Sequence, residues 1–439
     1  VHGPRQKRSA RESRRVTAAF FGEQAMRDAV SRTTFGEAQS LDCRGDFPSL
    51  RRSFGGHPVA FLDGPGGTQV PNAVIEAIAD CYRNRNVNTH GNFPPSAELD
   101  ERHLGARAAI ADFLGASGPE RISIGQNMTS LSFALSHALG RTIKAGDEVL
   151  ITQLDHEANR GPWQLLKEKG AHVREVPLLA TGALDYVAMK SLITRKTRIL
   201  ALGCSSNAIG TVNDVALARA LTREVGALLI LDAVHYAPHF PVDVQSLDPD
   251  FLLCSAYKFY GPHVGILYSR KGALEALAPD KLIVQEDAAP YKIETGTLNH
   301  AAIEGVAAAI DYLAGFGRGA SRREAVHDAV AAISAYEHAL GRSLWSALEE
   351  IPAVRLWGVP FTDARRAPTV SFTLAGQDHA AVARRLGAVG ICVWDGNHYA
   401  PRPIEVLKVP NGSTIRVGFS MYNTAEEAAR LLRVIKELS

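Results

Sequence analysis

No apolar run reaches roughly 18 residues, so no membrane-crossing helix is expected. Charge of one sign is also missing. Lys and Arg number 48 against 46 Asp and Glu, a formal net charge of +2, too little for a broad nucleic-acid or membrane surface. Cysteine is scarce and scattered. The five (Cys43, Cys81, Cys204, Cys254, Cys392) form no C-x-x-C pair, so neither a zinc cage nor a disulfide framework is expected and no metal site is assigned. Reduced thiols in the cytoplasm are the default. The glycine-rich "DGPGGTQV" (63–70) lacks the G-K-[S/T] ending of a nucleotide-binding P-loop. There are no internal repeats. The opening "VHGPRQKRSARESRR" is basic and lacks the apolar core of a secretory signal. Residues 1–40 are read as a basic arm, disordered in part, with Met26 a candidate natural start.

What remains is a 439-residue chain, 46% hydrophobic and 21% charged, enough for a large core in two domains. From about residue 120, short apolar runs alternate with amphipathic stretches. "RISIG", "EVLIT", "AHVREVPL", "TRILALG", "ALLILD", "FLLCSA" and "GILYS" read as strands. "MTSLSFALSHALG", a segment near 158–169 and "DVALARALTREVG" read as helices between them. Strands rich in Leu, Ile and Val, without polar alternation, suit burial on both faces. The expected fold is therefore α/β, with a mainly parallel central sheet flanked by helices. One or two long helices cover 301–349. The tail then reads strand "TVSFTL", helix "HAAVARRLGAVG", strand "ICVWD", strand "TIRVGFS", helix "AEEAARLLRVIKEL": a smaller α+β domain.

In parallel sheets ligands sit at the carboxyl ends of strands, and there this chain places its polar residues. Gln126–Ser130 opens a helix, so Asn127 and Thr129 suit an anion site or an ordinary cap. His156 in "LDHEAN" suits stacking on a flat ring or a polar turn. Asn207, Asp232, His235, Ser255, Tyr257 and Lys258 follow at later strand ends. Each alone fits a bland role, and a lysine at a strand end is usually solvated. Together they offer a phosphate site, a stacking imidazole, an amide, a carboxylate and an amine at one sheet edge. A pyridine aldehyde phosphate requires that set: lysine forms the imine, and a carboxylate keeps the ring nitrogen protonated.

Six ordered blocks carry a resemblance: "FLDGPGGTQVP", "SSNAIGTVNDV", "LDAVHYAPHFPVDV", "CSAYKFYGP", "ETGTLN" and "RVGFSMYNTAEE". From about residue 47 onward the chain resembles the class V aminotransferase family of pyridoxal-phosphate (PLP) enzymes, nearest its cysteine desulfurase and selenocysteine lyase branch. The resemblance implies the type I PLP-enzyme fold, with a PLP-binding large domain over 41–310 and a small domain over 311–439. It implies catalytic roles for Lys258, Asp232 and His156. Thr129 and Ser255, with backbone help around Met128, would contact the phosphate. His156 would stack over the ring and Asp232 pair with its nitrogen. Asn207 and His235 would lie near the phenolic oxygen, and Tyr257 beside the phosphate. Thr297 would reach the partner subunit's phosphate, implying a homodimer with shared sites. Arg416 would clamp the α-carboxylate of an amino-acid substrate. In "RNRNVNTHGNFPPS", His90 and Asn92 are further candidate substrate contacts or ordinary turn residues.

The chain also departs from the pattern. His235 stands where the family has Gln, and Tyr257 where it has His. In "WDGNHYAPRP" (394–403), Tyr399 aligns with the nucleophilic Cys of desulfurases, while Cys392 falls in an expected strand. The reading is a PLP-dependent lyase acting at Cβ of an L-α-amino acid without a persulfide cysteine. The alternatives are a decarboxylative aldolase joining aspartate to an aldehyde, in which Tyr399 and Arg402 shape the pocket, a class V aminotransferase or epimerase, and a non-catalytic PLP-binding module.

Overall fold

The computed structural model describes residues 41–361 and 365–439. The expectations for the basic arm and Met26 lie outside the described residues. Seven strands form the central sheet, in the spatial order Ile122–Gly125, Gly265–Ser269, Phe251–Ser255, Leu228–Asp232, Thr197–Gly203, Glu148–Thr152, His172–Val176. All neighbours run parallel except Gly265–Ser269, which is antiparallel to both strands beside it. Apolar clusters cover both faces, one holding Leu150, Leu200 and Leu229, the other Val149, Ile199 and Ile230. Adjacent residues of one strand thus point into different cores, which is why the sequence shows unbroken apolar runs.

The helix Met128–Gly140 starts where the sequence placed it, because Asn127 and Ser130 form a reciprocal capping box. The expected helix near 158–169 is instead two short 3-10 turns around the four-residue helix Gly161–Gln164. Pro162 supplies no backbone donor there and can start a helix but not continue one. Two helices upstream of the sheet, Asn72–Asn84 and Pro94–Leu114, were not assigned from the sequence, although the first is amphipathic. The second buries Leu99, Arg107, Ala109 and Ala111, which lie on different sides of the helix, so no single apolar stripe marks it.

The C-terminal half adds an antiparallel sheet in the order Val354–Trp357, Thr369–Leu374, Thr414–Gly418, Trp394–Gly396. The expected single strand "ICVWD" is split. Ile391–Cys392 pairs in parallel with Ala60–Phe61, whereas Trp394–Gly396 pairs with Thr414–Gly418. Ala60 and Leu62 consequently bury in the second core, beside Phe372 and Val417. The 28-residue helix Arg322–Glu349 serves both cores. Its Val326, Val330 and Ile333 pack in the first, and its Leu340, Leu344 and Leu348 in the second. Each buried side chain contributes about 1.5–3 kcal/mol, so the helix is anchored at both ends. Among the described residues no helix is long and apolar enough to cross a membrane.

Candidate active site

The carboxyl ends of the sheet strands surround one cavity, lined by Met128, Thr129, His156, Asn207, Asp232, His235, Ser255, Tyr257 and Lys258, among others. They come from five strand ends and the turns after them. Lys258 closes a 3-10 turn (Ala256–Lys258) directly after its strand, and its Nζ donates to the carbonyl of Pro65. At the opposite wall the helix Met128–Gly140 points its amide end at the cavity, and the amide of Met128 donates to Ser255 Oγ at 3.0 Å. That approach needs a glycine at 265, since a Cβ there would sit 2.3 Å from the backbone carbon of Asn127.

Burial dominates the electrostatics. It pushes the Asp232 carboxyl up to about 7; the neighbouring Asp155 pushes the same way, while a hydrogen bond from the Val234 amide and the Lys258 charge oppose it. Burial likewise lowers the Lys258 amine to about 7, helped by Arg416 and opposed by Asp232 and Asp63. A substantial neutral fraction of that amine therefore exists near neutral pH. His156 falls to about 4, through burial and the charges of Lys258 and Arg416. Its Nδ1 accepts from the Ala158 amide at 3.0 Å, so the neutral ring carries its proton on Nε2.

A second cavity opens outward from the first, sharing His156, Asn207, Tyr257 and Lys258 with it and adding Pro65, Gly66, Trp394, His398, Tyr399 and Arg416. Arg416, on the strand Thr414–Gly418, is buried. It donates to the Asn207 carbonyl at 3.2 Å, and its Nε has no partner. Burial lowers its guanidinium to about 10, opposed by Asp63. Above it lies the loop Asn397–Ala400. His398 and Tyr399 both take left-handed backbone (φ 57° and 55°), an uncommon and strained state for residues with side chains. The loop is pinned by two bonds from the sheet side: Asn207 Nδ2 to the His398 carbonyl and the Glu157 amide to the Tyr399 carbonyl, each at 2.8 Å. The Tyr399 ring, 76% exposed, lies 6.0 Å from that of His156.

Three sequence candidates are not brought to this site within one chain. Thr297 and His90 line a separate cavity that shares no lining residue with the other two. His90 is held there by Asp100, through its amide at 3.1 Å and its Nδ1 at 3.3 Å. Asn92 is exposed and lines none of these cavities. Arg402 is a fourth departure: Glu175 and Glu405 each hold its guanidinium at 2.9 Å, so it is not a free cation for a substrate. Conversely, sequence reasoning passed over Asp63, Asp155 and Trp394. Asp63 lay inside "FLDGPGG" and Asp155 immediately before His156, so both were quoted without a role.

Burial raises every thiol: Cys43 to about 12, Cys81 to about 11 and Cys392 to about 11, with Cys204 and Cys254 moved the same way. Only Cys392 is less than fully buried.

The family model for class V aminotransferases matches residues 60–431. This chain belongs to the class V aminotransferase family. Within that family the chain is similar to cysteine desulfurases. It is 33% identical over 412 residues to that of Pectobacterium atrosepticum, covering 90% of this chain and 97% of the relative. It is 32% identical over 408 residues to a probable cysteine desulfurase of Synechocystis, covering 90% and 94%. Among solved structures, the cysteine desulfurase of Thermococcus onnurineus aligns with TM-score 0.82 at 27% identity, covering 90% of this chain and 97% of that one. The cysteine desulfurase CsdA of Escherichia coli gives 0.78 at 28%, covering 90% and 96%. Family members are PLP-dependent enzymes.

The residues present fit that cofactor. Asn207 Oδ1, His235 Nδ1 and Ser205 Oγ are buried without a partner, and all three residues line the inner cavity. Unpaired buried polar atoms are costly, so these need a polar ligand. The donor set suits PLP: a helix amide end with Ser255 and Thr129 for phosphate, Asp232 for the ring nitrogen, His156 for the ring face and Lys258 for the aldehyde.

Proposed function

We propose that the protein is a PLP-dependent lyase that acts at Cβ of an L-α-amino acid and uses no cysteine relay. Bound in the inner cavity, PLP supplies an electron sink for a carbanion at the substrate Cα. The chain's own residues do the rest. Arg416 binds the α-carboxylate with donors left open in its buried guanidinium. Asp232, ionised beside a pyridinium, holds the proton on the ring nitrogen. Lys258 Nζ would take the proton from Cα. His156 covers the ring face.

The observation that carries the proposal is the loop above Arg416: it presents Tyr399, and every thiol of the chain is raised by burial. Sulfur release by elimination balances without a relay. The Cα–H and Cβ–S bonds break, water is consumed, and cysteine yields sulfide, pyruvate and ammonia. The aldolase alternative would need a cation for the second carboxylate of aspartate. Glu175 and Glu405 already occupy Arg402, so this reading ranks lower.

We also propose a cytoplasmic homodimer in which Thr297 and His90 serve the partner's cavity. Leu282, Ile283 and Val284 lie 59%, 100% and 85% exposed, and Leu282 and Val284 line the same cavity as Thr297, an apolar edge suited to a second copy. The test incubates the purified protein with L-cysteine, and separately with L-aspartate plus aldehydes, with products identified by mass spectrometry. Sulfide with pyruvate and an unmodified protein is expected. A persulfide mapped to Cys392 would overturn the relay-free reading, and a carbon–carbon adduct from aspartate would replace it with the aldolase. Mixing Lys258→Ala with Thr297→Ala protein should restore activity if sites are shared, and no restoration would reject the sharing.

A further inference from the structure

Behind the inner cavity lies a buried polar chain that the lyase reading does not use. It begins at His235, whose Nδ1 is one of the three orphan atoms in the cavity wall and whose Nε2 contacts Thr369 Oγ1 at 2.9 Å. The ring of His239 meets the His235 ring edge to face, with centroids 5.0 Å apart. His239 Nδ1 contacts Glu337 Oε2 at 2.7 Å, and the other carboxylate oxygen of Glu337 accepts from Tyr260 OH at 3.4 Å. Glu337 is 0% exposed, and His235 and His239 are each 3% exposed.

A fully buried carboxylate is expensive unless paired; burial raises Glu337, and among the described residues His239 and Tyr260 are the partners that oppose the rise. Both partners lead to the cavity. His239 packs on His235. Tyr260 follows Lys258 by two residues, in left-handed backbone (φ 67°), and its amide donates to Thr68 Oγ1 at 2.8 Å. Glu337 therefore braces the two segments that carry the imidazole and the amine.

We propose that Glu337 is a positioning residue for the cofactor site. Paired with His239, it wedges His235 in place, so that Nδ1 of that neutral imidazole stays available to the phenolic oxygen of PLP. The groups facing His235 are consistent with this. Burial lowers its affinity for a proton, and His239, Lys258 and Arg416 all oppose a second positive charge beside them. Without the Glu337 carboxylate, His239 loses its Nδ1 partner and Tyr260 its acceptor, so the His235 ring is no longer wedged and its hydrogen bond to the phenolic oxygen would weaken. An oxygen that keeps more of its negative charge would favour protonation of the imine nitrogen beside it.

The inference rests on the placement of His235 beside that oxygen, and the experiment separates the two. The readout is the pH midpoint of the visible absorption band of the PLP-loaded protein, measured without substrate. Glu337→Gln, whose single acceptor oxygen cannot serve both His239 and Tyr260, should raise this midpoint by about half a pH unit, roughly a threefold change in proton affinity. Glu337→Asp should recover part of the shift, and His239→Asn should reproduce it if the glutamine variant does not fold. In a His235→Gln background, Glu337→Gln should move nothing further. A midpoint that His235→Leu, which removes the donor, leaves unchanged would reject the placement and the inference together. A midpoint moved by His235→Leu but not by Glu337→Gln, or moved equally by Glu337→Gln in the parent and His235→Gln backgrounds, would reject the role of Glu337 alone.

Discussion

The sheet rim and the loop Trp394–Arg402 face each other across one continuous cavity, and they are built by opposite means. The rim is buried, and its chemistry comes from charges and orphan atoms withheld from water: Asp232, Lys258, His235, Asn207. Each stands at the end of a strand or the turn after it, whose register fixes its position. The loop exposes aromatic rings, and its shape comes from left-handed backbone at His398 and Tyr399, held by bonds from Asn207 and Glu157. Chemistry common to a family belongs on the rigid element, and the choice of substrate belongs on the loop.

If that division is right, rim substitutions should damage the reaction and loop substitutions mainly its selectivity. The largest effect is expected for Lys258→Ala, which should cost roughly 10³-fold or more in turnover and leave no PLP that borohydride can lock to the protein. A reduced adduct on another lysine would break the comparison at its first point. Next comes Asp232→Asn, which should keep bound PLP but lose about 10²-fold or more in turnover.

The same substitution carries a sign that can be checked without substrate. Folded Asp232 holds its proton up to about pH 7, whereas its ordinary value is 3.8, so the folded state binds more protons between those limits. Stability of the cofactor-free protein must then fall as pH rises through that window, by on the order of 4 kcal/mol at most. Asp232→Asn should melt several degrees above the parent at pH 8, with the difference fading towards pH 4. Equal melting at both pH values would mean that burial does not govern this carboxyl.

Arg416→Lys keeps the charge but loses the fork, and should raise KM by roughly tenfold or more with a smaller change in kcat. The smallest effect belongs to the loop. Tyr399→Gly should leave PLP loading intact and, by relieving left-handed backbone under an exposed ring, stabilise the fold by about 1 kcal/mol or less in a denaturant titration. A large destabilisation would show that the ring is structural.

The same contrast explains what was legible in the sequence. Lys258, Asp232 and Asn207 follow unbroken apolar runs, so their place at one sheet edge could be read from the pattern of strands alone. Asn127 declared its helix by a capping box with Ser130. The split of "ICVWD" could not be read, because Ile391–Cys392 is completed by Ala60–Phe61, more than 300 residues away in sequence. Arg402 looked free because Glu175, its partner, lies on a distant strand. Glu337 sits in "SAYEHALG", where a lone acid on a long helix reads as a solvated face. Only the packing of that helix against His239 and Tyr260 shows it to be buried.

That helix has a mechanical consequence. Arg322–Glu349 is a single beam with one end in each core, and Glu337 lies partway along it. The two halves are therefore not joined there by a slack tether about which the mouth could swing. Any widening of the mouth has to slide or bend the beam, and the beam carries the support of His235 with it. Substrate entry and the setting of the inner wall would then be one motion, so that a ligand large enough to spread the loop would be felt behind the cofactor ring.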